Sequence, residues 1–431
     1  MPFYSAPDVY IEEVPGGARP IEPVGTSTAG FIGVAPNAMA HRPEENQPLQ
    51  AVAVNNWAQF VREFCVKPDG DPNNPSDILQ STQLANAVYG FFLNGGSRCY
   101  IANVGMTDAP RPRARRGAAN DDEEAPANDP IQGVDARRGL LRDGLTALAL
   151  FDEIAIVVAP GFTTVGDYDE ILTHCESLKD RVAVLDSPAA DTAPDSLIPS
   201  EGRANTRPRQ SDGGFGALYY PWIQVRDPLS STAALVFVPP SGHIAGVWAR
   251  TDGTRGVHKA PANESIRGAI GLSYLITRQE QEILNRSSVN CIRLFAQEGV
   301  RIWGARTLAA TASEWRYLNV RRLFNMIEES IAENTRWIVF EPNDRTLWKS
   351  IVRDVTAFLT IIWNSGALMG ATPEQAFFVK CDEETNPPES IDAGYVITLV
   401  GIAPVKPAEF VVFRISQYAE GTSTQTTGEA Q

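Results

Sequence analysis

Histidine is scarce in this chain, with four residues in 431, and the side chains that usually do chemistry are not gathered into motifs. The sequence has no GxxxxGK[ST] phosphate loop, no GxGxxG after a strand, no HExxH and no GxSxG, which removes the common nucleotide, zinc-protease and serine-hydrolase readings. The five cysteines, Cys65, Cys99, Cys175, Cys291 and Cys381, form an odd, widely spaced set without a CxxC pair. Several sit in apolar runs such as SRCYIANV and VNCIRLF, so buried reduced thiols are expected instead of disulfides or zinc ligands. Positive charge is also in deficit: a net charge of -15 argues against a nucleic-acid coat, which needs basic surface to meet phosphate. The longest apolar run, AFLTIIW, is far too short to span a bilayer. MPFYSAPDVY carries neither a basic n-region nor an apolar h-region, so no signal peptide is expected and the chain reads as cytoplasmic.

His243, Asp252 and His258 share one stretch and are the nearest approach to a metal or acid-base cluster. Gly242, Gly246, Gly253 and Gly256 around them read as a turn-rich loop, and no third ligand or nucleophile has useful spacing. Glu328 and Glu329 are adjacent on a helix and diverge, unlike a facing carboxylate pair. No catalytic, cofactor-binding or metal-binding residues are expected, and no cofactor.

What the chain does have is a globular composition, 43% hydrophobic and 21% charged, at a length that supports two or three cores. Residues 1–24 form an arm: Val9, Tyr10, Ile11, Glu12, Glu13 and Val14 make a strand between prolines, isolated by the linker from Gly16 to Pro23. Residues 25–285 read as an outer α/β domain. TAGFIGVA, CYIANV, EIAIVVAP and RVAVLD are short strands buried on both faces. Between them lie helical patterns through Trp57 to Phe64, Leu84 to Phe92, Leu140 to Leu150 and Tyr168 to Leu178, an alternation that predicts a mainly parallel sheet. Residues 108–133 break the composition, with PRPRARRGAAN followed by DDEEAPANDP, and read as a solvated surface loop. Thr277-Arg278-Gln279-Glu280 is a capping box opening a helix that ends near Asn285.

Residues 286–403 read as a second, compact α/β domain beginning with two strands, Asn290 to Phe295 and Gly299 to Trp303. Asn319 is placed as the cap of a helix whose apolar stripe is Val320, Leu323, Phe324, Ile327 and Ile331, with Arg321 and Arg322 on the other faces. Trp337 to Phe340 reads as a short buried strand. A second amphipathic helix carries Leu347, Ile351, Val355, Phe358, Leu359 and Ile362, with Gly366 as its C′ residue. Thr372-Pro373-Glu374-Gln375 is read as a capping box. Residues 404–431 form a C-terminal arm in which Phe410, Val411, Val412, Phe413 and Ile415 belong to a terminal strand held off by Pro404 and Pro407. Two such free strands must find a sheet edge, and another copy of the chain offers one.

WGART, EWRYLNVRRLF, IEESI, FEPND followed by LW, AFFVKCD and GIAPVKPAEF together resemble the C-terminal domain of contractile tail sheath proteins, the family of phage tail, R-type pyocin and extracellular contractile injection system sheaths. The resemblance extends through VPPSGHIAGVWARTDGTRGVHKAPANE and returns in APDVYIEEV, while residues 36–215 match only in layout. It implies a subunit of stacked, hexameric rings around an inner tube protein, with baseplate and terminal cap proteins as further partners. It implies arms that interweave with neighbouring C-terminal domains, and a metastable cylinder whose contraction drives the tube through a target membrane without inserting this chain. Arg321 and Arg322 on one helix, and Lys349 and Arg353 on the other, are the alternative tube-facing pairs. The competing reading is a cytoplasmic α/β enzyme with a ligand crevice at the strand ends of the outer domain.

Overall fold

A computed structural model describes residues 20–41, 48–105, 130–199, 206–410 and 412, with backbone alone over 130–138. The N-terminal strand Val9 to Val14, the insertion from 108 to 129, and Val411, Phe413 and Ile415 lie outside the described residues.

The strands in chain order are β1 (Ala29–Gly33), β2 (Val52–Val54), β3 (Cys99–Asn103), β4 (Ile156–Val158), β5 (Val182–Asp186), β6 (Gly216–Tyr220), β7 (Ile223–Arg226), β8 (Leu235–Val238), β9 (Glu264–Ser265), β10 (Gly271–Leu272), β11 (Val289–Phe295), β12 (Gly299–Ile302), β13 (Phe377–Lys380) and β14 (Leu399–Ile402). The principal helices are α1 (Trp57–Phe64), α2 (Gln83–Asn94), α3 (Pro130–Leu148), α4 (Val165–Leu178), α5 (Ser241–Arg255), α6 (Arg278–Arg286), α7 (Leu318–Asn334) and α8 (Arg345–Asn364).

One sheet of nine strands runs β2-β3-β1-β4-β5-β6-β11-β12-β9, and its six central strands are parallel. Successive residues of each central strand enter opposite cores, as the period of two requires. Phe31, Ile101, Val158, Val184 and Tyr219 face α1, α2 and α5. Ile32, Ala102, Val157, Leu185 and Leu218 face α3, α4 and α6. The expected mainly parallel α/β sheet is therefore present, with antiparallel strands at its edges.

The hairpin β11–β12 belongs to this sheet. It was expected to open the C-terminal domain, but β11 pairs in parallel with β6. Val289 to Ile292 of β11 are buried on both faces, which suits a strand inside a large sheet and not one starting a small domain. A separate C-terminal core begins at α7, where Leu323, Met326 and Ile327 pack against Leu347, Ile351, Phe358 and Leu359 of α8. Ile21, only 4% exposed, joins the same core. The chain thus touches its C-terminal module first, builds the large sheet, and returns.

Five local expectations change. The glycine-rich stretch expected as a loop is helix α5. Two of its glycines allow close packing: a Cβ on Gly242 would fall inside the backbone of Ala87, and one on Gly246 inside that of Phe91, both on α2. We expect Gly242→Val to destabilise the protein by about 3 kcal/mol or more through overpacking. Urea unfolding checks this, and a wild-type midpoint would show that α2 and α5 can separate freely. Trp337 to Phe340 is not a buried strand. Residues Arg336–Ile338 form a 3-10 turn, Phe340 has φ 72, and its side chain is fully exposed. No sheet edge lies between α7 and α8, so the backbone bonds locally, Ile338 N to Thr335 O and Val339 N to Arg336 O. Asn319 lies inside α7, one residue past its start, and donates to the carbonyls of His258 and Val405. Thr372 precedes a single turn, Pro373–Ala376, without a side-chain cap. The loop expected to reach Gly133 ends sooner, because α3 starts at Pro130. The Thr277 capping box and Gly366 (φ 81) behind α8 are as expected.

Candidate assembly interface

The strand ends that would form a crevice in an α/β enzyme are filled. Asp186 closes β5, where its carboxylate accepts from Ser241 N at 2.7 Å and Ser241 Oγ at 2.5 Å, and its carbonyl accepts from Tyr168 Oη. Burial pushes its carboxyl up to about 7, against the two bonds from Ser241. Trp222 Nε1 covers the next carbonyl, that of Ser187. His243 is enclosed between α5 and Gly90, and burial lowers its imidazole to about 4. Asp252 instead meets Arg322, and His258 turns toward Gly256. Among the described residues no group of three or more His, Cys, Asp or Glu could hold a metal ion. All five cysteines are free and buried, with burial raising Cys65 and Cys291 to about 12. No described helix is long and apolar enough to cross a membrane.

Arg321 and Arg322, expected on outward faces of α7, are both buried, and this removes them as surface groups that an inner tube could reach in this conformation. Arg322 forks onto Asp252 of α5, Nη1 to Oδ1 at 2.9 Å and Nη2 to Oδ2 at 2.5 Å, and also donates to Thr26 O. Thr26 Oγ1 donates to the same carboxylate at 2.7 Å. Three segments meet there: the N-terminal linker, the large-sheet domain and the C-terminal module. Arg321 lies over the Trp315 ring at 4.2 Å and donates to Asn325 and Glu328. A buried arginine needs such partners because the uncompensated charge would cost several kcal/mol. Beside this joint is a cavity of about 130 Å³ between Val24, Asp152, Asp180, Glu329 and Glu333. Burial, with Asp180, Glu333 and Asp152 nearby, raises the Glu329 carboxyl.

Lys349 and Arg353 remain on the exposed side of α8. They border an open groove of about 630 Å³ along the outer edge of β13, with Val352 and Val379 as its apolar lining and Lys380 as a third cation. Among the described residues β13 pairs only with β14, Phe377 opposite Ile402 and Lys380 opposite Leu399. One face covers the α7–α8 core through Phe377, while Phe378 and Leu399 are more than half exposed. A two-stranded sheet is marginal alone, and its unpaired edges invite another strand. Linker residues are tied to α7, with Val24 N donating to Ser330 Oγ and Asn334 Nδ2 to Glu22 O. At the other end Phe410 and Val412 stand 73% and 78% exposed, making no intramolecular sheet. The sequence offered Asp252 only as a metal or acid-base candidate and did not single out the roles of Glu409 or Thr26, because the partners of all three lie far away along the chain.

An α/β body whose β5 end is filled, with a short two-stranded sheet among its described residues, fits a structural assembly protein. Residues 143–308 match the family model of the phage tail sheath protein central domain, and residues 310–417 that of the phage tail sheath C-terminal domain. Together these ranges take in more than half of the chain, and the chain belongs to the phage tail sheath family. It is 28% identical over 363 residues to a prophage major tail sheath protein of Pseudomonas aeruginosa (strain UCBPP-PA14), covering 80% of this chain and 86% of that protein. It is 30% identical over 178 residues to the tail sheath protein of Vibrio phage KVP40, covering 41% of this chain and 26% of that longer protein. The contracted PVC sheath complex of an extracellular contractile injection system contains a chain of the same fold, with TM-score 0.70, 27% identity, and coverage of 97% and 99% of the two chains.

Proposed function

We propose that this chain is the structural subunit of a contractile sheath: it polymerises as helically stacked, hexameric rings around an inner tube and shortens from an extended state to drive the tube through a target membrane. The observation that carries this is the β13–β14 sheet, which among the described residues has only two strands, together with Phe410 and Val412, which are mostly exposed. The N-terminal strand (Val9 to Val14) and the C-terminal strand (Phe410 to Ile415) of neighbouring copies complete it to four strands, with backbone bonds for affinity and alternate side chains for register. Such a contact is heterologous and propagates instead of closing. In this reading residues 25–308 face outward and the α7–α8 module faces the tube. Assembly takes place in the cytoplasm, and baseplate and cap proteins bound the cylinder's ends. The work comes from two packings of one sequence, so the chain needs no enzymatic activity or cofactor.

With Arg321 and Arg322 inside, Lys349 and Arg353 are the tube-facing pair. Co-expression with the cognate inner tube protein should yield sheathed tubes for the native chain. Lys349→Glu with Arg353→Gln should yield sheaths without tubes, because one rim charge is reversed and one removed, while the Gln amide can still donate to the Asp354 carboxylate that Arg353 Nε holds at 2.9 Å. Electron microscopy of the particles reads this out. Filled sheaths from the double variant would remove the pair from the tube interface, and loss of all polymers would place it at the arm contact.

A further inference from the structure

Between β14 and its exposed end the chain is pinned twice. Val405 N donates to Ala367 O at 3.1 Å, and its carbonyl accepts from Asn319 Nδ2 at 3.0 Å, both in the C-terminal module. Four residues later Glu409 is held by the large-sheet domain. Its Oε1 accepts from Arg306 Nε at 2.9 Å and Asn285 Nδ2 at 2.8 Å; its Oε2 accepts from Arg306 Nη2 at 2.8 Å and Tyr317 Oη at 3.2 Å. Arg306 is itself fixed, since its backbone exchanges two bonds with the Asn290 side chain and its Nη1 donates to Asn285 O. The guanidinium is 7% exposed, so this is a partly dry, bidentate pair and not a mobile surface contact. The next residue, Phe410, is mostly exposed at the mouth of a trough of about 560 Å³ lined by Arg278, Arg286, Arg293 and Trp303.

We infer that Glu409 is the positioning residue of the C-terminal arm: clamped by Arg306, Asn285 and Tyr317, it sets where and in which direction the strand from Phe410 onward leaves this copy for the next. This rests on the strand-exchange reading and adds a residue to it. A free tether of the same length would explore many exit directions, and the neighbour would bear the entropy of ordering it. The clamp meets that cost during folding and braces the C-terminal module to the large sheet, so pull on the arm is delivered to both.

Burial opposes the charge of Glu409, but bonds from Arg306 and Asn285, with the Arg306 charge and Tyr317, outweigh it and hold the carboxyl below the ordinary glutamate value. The facing charged groups are Arg278, Glu282, Arg286, Arg293 and Arg306, with Lys406 on the same segment. A lowered folded-state value means that the clamp contributes fully above the unfolded glutamate range and is lost only as pH falls through the lower, folded value.

The test uses full-length protein with nitroxide labels at Gln297→Cys and Val412→Cys, comparing native, Glu409→Gln and Arg306→Lys backgrounds. Glu409→Gln keeps the shape and removes the charge; Arg306→Lys keeps the charge and removes the fork. In the unassembled protein both should broaden a narrow dipolar distance distribution without changing circular dichroism. Both should also raise the concentration needed for polymerisation about tenfold, the scale of one charge-assisted contact. Unchanged distributions would overturn the clamp. Broadened distributions with polymerisation at the native concentration would overturn its role in assembly. A native chain that never polymerises would contradict strand exchange, while the distance measurement decides the clamp separately.

Discussion

A chain ending at Phe410 is expected to fold and to lose polymerisation. The residues removed include Val412, Phe413 and Ile415, and Val412 has no packing within its own copy to lose. The described contacts that close the C-terminal module lie before the cut: the β13–β14 ladder, the bond from Val405 to Ala367, and the Glu409 clamp. An earlier cut, after Ile402, would keep the ladder but remove the Val405 bond and the Glu409 clamp, and so confuse loss of assembly with loss of fold. Paired in a neighbour's sheet, each arm hydrogen bond contributes about 0.5–1.5 kcal/mol net. Apolar side chains buried with it contribute roughly 1.5–3 kcal/mol each. Several kcal/mol per subunit are then absent from every contact, while acidic bodies repel one another. Circular dichroism should match the native protein and sedimentation should show monomers. Long polymers from the truncated chain would make the arm dispensable.

Arg322→Ala should cost about 3–5 kcal/mol, because it leaves a buried carboxylate without its counter-charge. Asp252 is 6% exposed at its side chain and would keep only the Thr26 hydroxyl. The carbonyl of Thr26 would lose its donor too, loosening the N-terminal linker from the large sheet and from α7 together. Arg322→Met combined with Asp252→Leu should recover much of the loss, since two apolar groups of similar bulk avoid the stranded charge. Denaturant unfolding of the three variants checks the order: native highest, the double variant between, Arg322→Ala lowest. A single variant as stable as the native protein would mean that the joint opens to water at no cost.

The parts of the fold legible in the sequence are those decided locally. VAVLD and its companions announce buried parallel strands because both faces are apolar, and Leu347 to Ile362 announces α8 because one stripe is. Thr277 and Gly366 mark helix ends through backbone chemistry confined to a single turn. What was not legible depends on partners distant in sequence. Gly242 and Gly246 look like loop residues until α2 is laid against them, and then their missing side chains explain the close approach. Arg321 and Arg322 look solvated because the helical period marks them polar; nothing local reveals Asp252 or the Trp315 ring. Glu409 looked like one more residue of the arm 404–431, and its clamp required Arg306, Asn285 and Tyr317 to converge from separate segments. The strand expected at Trp337 to Phe340 failed for the converse reason: apolar residues without a sheet edge nearby satisfied their backbone in a turn.

The central claim is that this single chain carries, in its own ends and its own small sheet, what is needed to polymerise. Electron microscopy of the purified full-length protein across a concentration series tests it most directly. The account predicts striated tubes or stacked rings with a constant repeat. Monodisperse single chains at every concentration, with both arms present, would contradict it.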